Sequence, residues 1–133
     1  MGRRAMCSGS VTRLASSALG LALWFGVALA EPTVRLVVQS SALAGFRYHA
    51  AAEVWDELRV GDALTMEREP ENPHDANAVS VSWRGRKLGY VPRRDNAALA
   101  WGLDRGEPLR ARISRLTSHP NPSKRVEFEV YAQ

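Results

Sequence analysis

Cysteine is almost absent from this chain of 133 residues, because its only cysteine, Cys7, lies close to the N-terminus. A disulfide framework is therefore excluded, and thiol chemistry is excluded from the rest of the chain. The three histidines, His49, His74 and His119, stand far apart and show no spacing typical of zinc ligands. No glycine-rich phosphate loop and no nucleophile-elbow motif occur. The sequence thus offers little support for a metal-dependent hydrolase or nuclease, or for any other enzyme.

Acidic residues are missing from the first 30 positions. Two arginines open this segment, an apolar stretch follows, and the small-residue pattern Ala28-Leu29-Ala30 closes it. This order is typical of a secretory signal peptide, and we expect cleavage after Ala30. The strongly apolar part, residues 18–30, is shorter than the ~20 residues that a membrane-spanning helix needs. We therefore expect no stable membrane span after cleavage.

This leader predicts an exported protein, either periplasmic or secreted. Two alternatives stay open. In the first alternative, residues 1–30 are an uncleaved membrane anchor. In the second, they result from a misannotated start upstream of a cytoplasmic domain.

The positive charge of the whole chain comes mostly from the leader. The chain has 18 lysines and arginines against 14 aspartates and glutamates, a net charge of +4. Three of the basic residues lie in residues 1–30, so residues 31–133 carry 15 against 14, or +1. Overall basicity therefore does not indicate a nucleic-acid partner, and only local clusters of arginine and lysine count.

Residues 31–133 read as one mainly β domain with short helices. Period-two alternation predicts strands over 63–69, 78–83, 109–116 and 125–132. β-Branched residues predict another strand over 33–40, and a hairpin turn at 84–86 predicts a strand over 87–91. Helical spacing predicts about two turns over 51–58 and a helix over 93–106, which follows Pro92. This length is enough for a single core without disulfides. We expect a small curled sheet or barrel of the β or α+β class, and a monomer.

The segment REPENPHDANAVSV, residues 68–81, joins two predicted strands through an unusually rigid and polar loop. Pro70 and Pro73 restrict the backbone, and Asp75 and Asn77 are suited to hydrogen bonds with nearby amides. In one interpretation the loop is only a stiff connection. In the other it displays His74 and Asp75 to a ligand, with the imidazole stacking on a base and the carboxylate accepting from a sugar hydroxyl.

Basic residues cluster in two places. The first set lies within residues 84–94 and the second within residues 110–125: Arg84, Arg86, Lys87, Arg93 and Arg94, then Arg110, Arg112, Arg115, Lys124 and Arg125. Either set is a solvated surface, or both sets line a groove along a phosphate backbone, with Tyr48 or Tyr90 for base stacking.

Three stretches together resemble the HIRAN domain: GFRYHA (45–50), LTMEREPENPHDANAVSV (64–81) and GRKLGYVPR (85–93). The resemblance covers roughly residues 34–132 and implies a HIRAN domain over 31–133. It implies an OB-like six-stranded β-barrel, as found in free-standing bacterial members and in DNA-repair ATPases. It also implies recognition of the 3′ end of single-stranded DNA. The nucleic-acid-binding residues are then Arg47, Tyr48, His74 and Asp75, with Arg93 as a further phosphate contact.

Two functions follow as expectations. The first is a non-enzymatic module that binds single-stranded nucleic-acid ends, with no cofactor and no bound metal. The alternative is an exported interaction module that keeps the fold but binds a protein or an envelope component. The leader and the charge of +1 for residues 31–133 favour this alternative.

Overall fold

The computed structural model describes residues 35–132, together with Gly2, so the predicted leader lies almost entirely outside the described residues. Residues 33–133 form one compact unit. Its strands are β1 (Leu36–Ala42), β2 (Ala63–Arg68), β3 (Val79–Trp83), β4 (Arg86–Tyr90), β5 (Leu109–Leu116) and β6 (Val126–Ala132). Its helices are α1 (Ala51–Val54) and α2 (Asn96–Asp104). The described residues include no helix with the length and hydropathy to cross a bilayer.

The six strands form one antiparallel sheet in the order β1-β6-β5-β2-β3-β4. The predicted class, a β-rich single domain with short helices, is confirmed. The predicted barrel is not closed, since no ladder joins β1 to β4 among residues 35–132. Just beyond β1, an isolated bridge joins Ala44 to Tyr90 through two hydrogen bonds of 2.9 Å. The sheet therefore curls until its two edges meet at this one pair.

The inward positions of the alternating strands form the core. On β6 these are Val126, Phe128 and Val130, which are fully buried, and β5 adds Ala111 and Ile113 opposite them. Burial of such a side chain stabilises the fold by roughly 1.5–3 kcal/mol, so these two strands supply much of the hydrophobic free energy.

Two strand positions depart from the predicted alternation. Tyr131, expected on the solvent side, is buried because the guanidinium groups of Arg35 and Arg112 lie 5.0 and 5.6 Å from its ring centre. Ser80 is also buried, and its hydroxyl donates to the Glu67 carbonyl of the neighbouring strand at 3.4 Å. Both differences arise from tertiary packing.

The two predicted helices are present but shorter than expected. The first consists of α1 and a following 3₁₀ turn, Trp55–Glu57, and it buries Val54. The second begins with a 3₁₀ turn, Arg93–Asp95, before α2. Helical spacing would place Trp101 on the core face with Leu99 and Leu103, but Trp101 is 66% exposed, because the buried face of α2 is formed by Leu99 and Ala100 and includes Asn96.

Candidate functional site

The turn that carries Arg47 and Tyr48 lies beside the place where the sheet closes. Gly45 adopts φ 78°, which lets the chain leave β1 and enter a 3₁₀ turn, Phe46–Tyr48. Phe46 anchors this turn in the core and packs edge-on against Trp55, with ring centres 5.8 Å apart. Because Phe46 points inward, its neighbours point outward, and Tyr48 is 84% exposed.

The proline- and asparagine-rich loop between β2 and β3 is fixed by its own hydrogen bonds. The Asn72 carboxamide oxygen accepts from the His74 N–H at 2.9 Å, and the Asp75 carboxylate accepts from the Asn77 N–H at 2.9 Å. Backbone bonds close successive turns, including Ala78 N–H to the Asp75 carbonyl at 3.1 Å. The stiffness predicted from the two prolines is therefore reinforced by two side chains that bond to the backbone two residues on.

Arg68, at the end of β2, binds the C-terminal part of this loop. Its Nη1 donates to the carbonyls of Ala76 and Ala78, both at 3.0 Å. Its Nε and Nη2 reach the two carboxylate oxygens of Asp104, at the end of α2, at 2.9 and 3.3 Å. One guanidinium thus ties the loop to the helix.

The turn, the loop and the start of α2 together enclose a cleft of about 630 Å³. We call it the end cleft. Four of the five predicted site residues line it, namely Tyr48, His74, Asp75 and Arg93, together with Ala44, His49, Asn72, Ala78, Tyr90, Val91 and Asn96. Arg93 also donates a short hydrogen bond to the His74 carbonyl. The structure therefore brings the two sequence motifs to one place.

Asp75 is held from two sides in this cleft. One carboxylate oxygen accepts from the Asn77 N–H, and the other accepts from the Asn96 Nδ2 at 2.6 Å. The Arg93 Nε lies 3.8 Å from the second oxygen. The Asn77 N–H first and then the Asn96 amide lower the pKa of Asp75, with smaller contributions from the charges of Arg93 and Arg68. The group is therefore an ionised acceptor near neutral pH.

Tyr90 and His49, which line the end cleft, are held by a polar network that includes Lys87 and Glu69. The Lys87 ammonium donates to Glu69 at 2.8 Å and to the Tyr90 hydroxyl, which itself donates to Glu69 at 3.0 Å. His49 packs edge-on against Tyr90, with ring centres 5.4 Å apart. Burial first, and then the Lys87 charge, lower the pKa of His49. Tyr90 is thereby held at its hydroxyl by Lys87 and Glu69 and at its ring by His49.

Arg47, the fifth predicted residue, faces a neighbouring groove of about 320 Å³. Tyr48 lines both this groove and the end cleft, so it forms the ridge between them. The rest of the second groove is lined by Gly45 and Phe46 of the same turn and by Asn121, Pro122 and Ser123 of the other Pro/Asn-rich loop. Arg47 and Tyr48 therefore share this second groove, and Tyr48 alone of the two also lines the end cleft.

Three arginines of the second basic set have partners within the protein. On β5, Arg112 pairs with Glu129 at 3.1 Å and Arg115 with Glu127 at 3.5 Å. Arg125 donates to the His119 carbonyl at 2.7 Å and lies 5.3 Å from the Phe46 ring centre. Carboxylates, a backbone carbonyl and an aromatic ring thus contact these three arginines.

A polar groove of about 500 Å³ lies on the outer side of β1, β5 and β6. Its charges pair with one another, since Arg94 lies 3.5 Å from Asp95 and Arg115 lies 3.5 Å from Glu127. This internal pairing leaves little net field for a charged ligand. Within residues 35–132, no group of three or more histidine, cysteine, aspartate or glutamate side chains is arranged to hold a metal ion.

Asn96, which contacts Asp75, was missed by the sequence reasoning. The pattern from Pro92 onward indicated only a helix, and Asn96 is 2% exposed at its first position. A buried asparagine in a short helix is itself a signal, because its amide needs a polar partner. Asn72 and His49 also line the cleft and carried no separate signal.

Curated relatives match about half of the chain. A Fanconi-associated nuclease 1 homolog of Oryza sativa subsp. japonica is 36% identical over 73 residues, which are 52% of this chain and 7% of that protein. A helicase-like transcription factor of Oryctolagus cuniculus is 32% identical over 63 residues, which are 47% of this chain and 6% of that protein. The chain thus spans only a small part of either relative.

Two solved structures share the fold. A crystal structure of a protein from Lactobacillus plantarum has a TM-score of 0.64 and 28% identity, covering 74% of this chain and 95% of that one. The HIRAN domain of human HLTF has a TM-score of 0.54 and 17% identity, covering 70% of this chain and 73% of that one. The family model described as HIRAN domain matches residues 36–133. The chain therefore belongs to the HIRAN domain family.

Proposed function

We propose that this protein is a binding module for single-stranded nucleic acid, and that the end cleft takes a strand terminus with a free 3′-hydroxyl. The observation that carries the proposal is the fixed Asp75 carboxylate inside a cleft beside an exposed aromatic ring. Each of its oxygens accepts one hydrogen bond from the protein at 2.6 or 2.9 Å. An ionised carboxylate has about four acceptor sites, so capacity remains for a ligand hydroxyl.

The other lining residues suit the rest of a terminal nucleotide. Tyr48 offers a ring that is 84% exposed, and stacking of a base on such a ring is worth roughly 1–3 kcal/mol. His74 lines the same cleft and is a second ring for stacking. Arg93 supplies a cation next to Asp75, and Arg47 supplies another in the groove beyond Tyr48, where the next phosphate would lie.

The comparisons support the ligand class. The names of the relatives, a nuclease homolog and a helicase-like transcription factor, indicate proteins that work on nucleic acid. The matched part is a small fraction of each, which fits a binding domain better than the catalytic part of either. We therefore propose binding without catalysis for this chain.

The test is a fluorescence-anisotropy titration with short oligothymidylates that end in a 3′-hydroxyl or a 3′-phosphate. The protein is expected to prefer the hydroxyl by about tenfold, because a phosphate cannot donate to Asp75 and is repelled by it. Affinity for both strands should fall as salt rises. Equal affinity for both ends, or no binding at low salt, contradicts the proposal.

Asp75→Ala separates hydrogen bonding from charge. Removal of an acid should strengthen binding to a polyanion if only charge matters. We expect instead about tenfold weaker binding of the hydroxyl-ended strand and loss of the preference. Asp56→Ala is the matched control, since it removes the same charge from an exposed position that does not line the end cleft.

We infer from the leader that the protein is exported, which favours a second candidate function, the binding of a protein or envelope component. The first 30 residues are free of acid and end in Ala28-Leu29-Ala30. Export together with no measurable affinity for either oligothymidylate would support this second function and contradict the first.

A further inference from the structure

Helix α2 holds the Pro/Asn-rich loop at both of its ends. At its first residue, the Asn96 Nδ2 donates to Asp75 at 2.6 Å. At its last residue, Asp104 binds Arg68, which donates to the Ala76 and Ala78 carbonyls. The helix therefore constrains the loop through one contact to the Asp75 carboxylate and one to the backbone beyond it.

In the hydrogen bond between Asn96 and Asp75, Asn96 is the donor and Asp75 the acceptor. A carboxylate only accepts, so the Asn96 side chain must present its amide N–H to it and not its carbonyl oxygen. Asn96 is 2% exposed, so it has few alternative orientations. The Asn77 N–H holds the other oxygen at 2.9 Å, and two contacts on different oxygens define the plane of the carboxylate.

We propose that Asn96 is the positioning residue that sets the preference of the end cleft for a hydroxyl terminus over a phosphate terminus. This inference rests on the proposed function. A buried amide that donates to Asp75 stabilises its ionised form and aims its remaining acceptor sites into the cleft. An ionised, fixed acceptor takes a hydroxyl and rejects a phosphate. A protonated carboxyl group would donate to a phosphate oxygen, and a rotated carboxylate would lose its hydrogen bond with the hydroxyl, so either change reduces the discrimination.

The first test compares the ratio of the two affinities in full-length wild-type protein, Asn96→Ala and Asp104→Asn. Asn96→Ala is expected to lower the hydroxyl-over-phosphate ratio by about fivefold, because Asp75 loses one of its two holding contacts. Asp104→Asn weakens the contact at the other end of α2 and leaves the Asp75 contact in place. It should therefore lower both affinities together and keep the ratio. A folded Asn96→Ala protein with the wild-type ratio overturns the inference.

A second variant replaces the amide donor of Asn96 with a carboxyl group of nearly the same size and shape. Asn96→Asp replaces the donor with an acid beside Asp75, so the two groups repel or share a proton. A shared proton or a displaced carboxylate leaves Asp75 a poorer acceptor, so the affinity for the hydroxyl-ended strand should fall at least as far as in Asn96→Ala. An unchanged affinity for that strand contradicts the proposed role.

The wild-type protein provides a measurement that needs no variant to fold. By NMR, one side-chain amide proton of Asn96 should be deshielded and should move with the same pH midpoint as the carboxyl carbon of Asp75. Absence of this shared midpoint overturns the inference even if both variants are unstable.

If wild-type protein shows no terminus preference, the proposed function fails and the role of Asn96 fails with it. A wild-type preference that is lost in Asp75→Ala but kept in Asn96→Ala removes only the role of Asn96.

Discussion

A Cβ atom on Gly89 would lie 2.1 Å from the carbonyl oxygen of Ala44. Gly89 is on β4, and its neighbour Tyr90 forms the bridge to Ala44 that brings the two edges of the sheet together. The backbones approach this closely only because residue 89 has no side chain. Since Ala44 and Tyr90 both line the end cleft, this contact also shapes the proposed site.

Gly89→Ala should therefore destabilise the protein by roughly 2–3 kcal/mol, since a backbone atom cannot move aside cheaply. Urea unfolding measures this loss. Gly102→Ala is the matched control, because the atoms closest to its added Cβ belong to the side chains of Glu107 and Leu109, which can rotate. It should be much less harmful, since alanine in a helix is favoured over glycine by about 1 kcal/mol. Equal losses in the two variants would contradict this account of the closure.

Much of the fold was predictable from the alternation of side chains. Alternation, β-branched content and one hairpin turn together located all six strands, and Val126, Phe128 and Val130, which alternate with Glu127, Glu129 and Tyr131, point inward. The pattern could not show that the chain just after β1 bridges to β4 at Ala44 and Tyr90, because closure depends on how the whole sheet curls. Nor could it show that Tyr131 is buried, since two arginines distant in sequence cover it.

The hairpin between β3 and β4 contains a strained residue. Arg84 adopts φ 48°, the left-handed region, and its guanidinium lies 4.5 Å from the centre of the Trp83 ring. Arg84→Ala and Arg84→Asn both remove the ring contact, but only asparagine tolerates this backbone conformation well. We expect Arg84→Asn to be more stable than Arg84→Ala by about 1 kcal/mol in thermal unfolding. Equal stabilities would show that the turn relaxes to another conformation.

The Glu69–Lys87 pair predicts a particular pH dependence of stability. Burial alone would raise the pKa of Glu69, but hydrogen bonds from Lys87, Tyr90 and Asn72 outweigh it and lower this pKa. Burial alone would lower the pKa of Lys87, but Glu69 and Tyr90 raise it. The contribution of Glu69 is thus present above its unfolded-state pKa and is lost as pH falls through the lowered value. The contribution of Lys87 is present below its unfolded-state pKa and is lost as pH rises through the raised value.

Glu69→Gln tests this pair. The free energy of unfolding should drop at neutral pH by no more than about 1 kcal/mol, because solvent screens side chains that keep roughly a third of their surface exposed. The difference in the free energy of unfolding between wild type and variant should disappear as pH falls through the Glu69 titration. A gap that stays constant down to strongly acidic pH would assign the effect of the variant to packing.

The leader gives a prediction of its own. The sequence up to Ala30 is typical of a signal peptide, so protein recovered from the host should begin at Glu31. Intact-mass measurement and N-terminal sequencing check this directly. Recovery of the chain with residues 1–30 attached and associated with membranes would support an uncleaved anchor.

The site was less predictable than the fold. Family resemblance named His74 and Asp75, and the loop geometry places both in the end cleft. It grouped Arg47 with Tyr48, and the two share the second groove, but only Tyr48 of the pair also lines the end cleft. Asn96 reaches Asp75 only through the packing of α2, which no local pattern encodes.

The location of the ligand tests the central claim most directly. Adding a short oligothymidylate with a free 3′-hydroxyl to isotopically labelled protein should shift the NMR resonances of Tyr48, His74, Asp75 and Asn96, which line the end cleft. Resonances of Ser41 and Ser114, in the polar groove on the outer side of β1 and β5, should stay in place. Shifts confined to that polar groove, or no shifts at saturating oligonucleotide, would contradict the account.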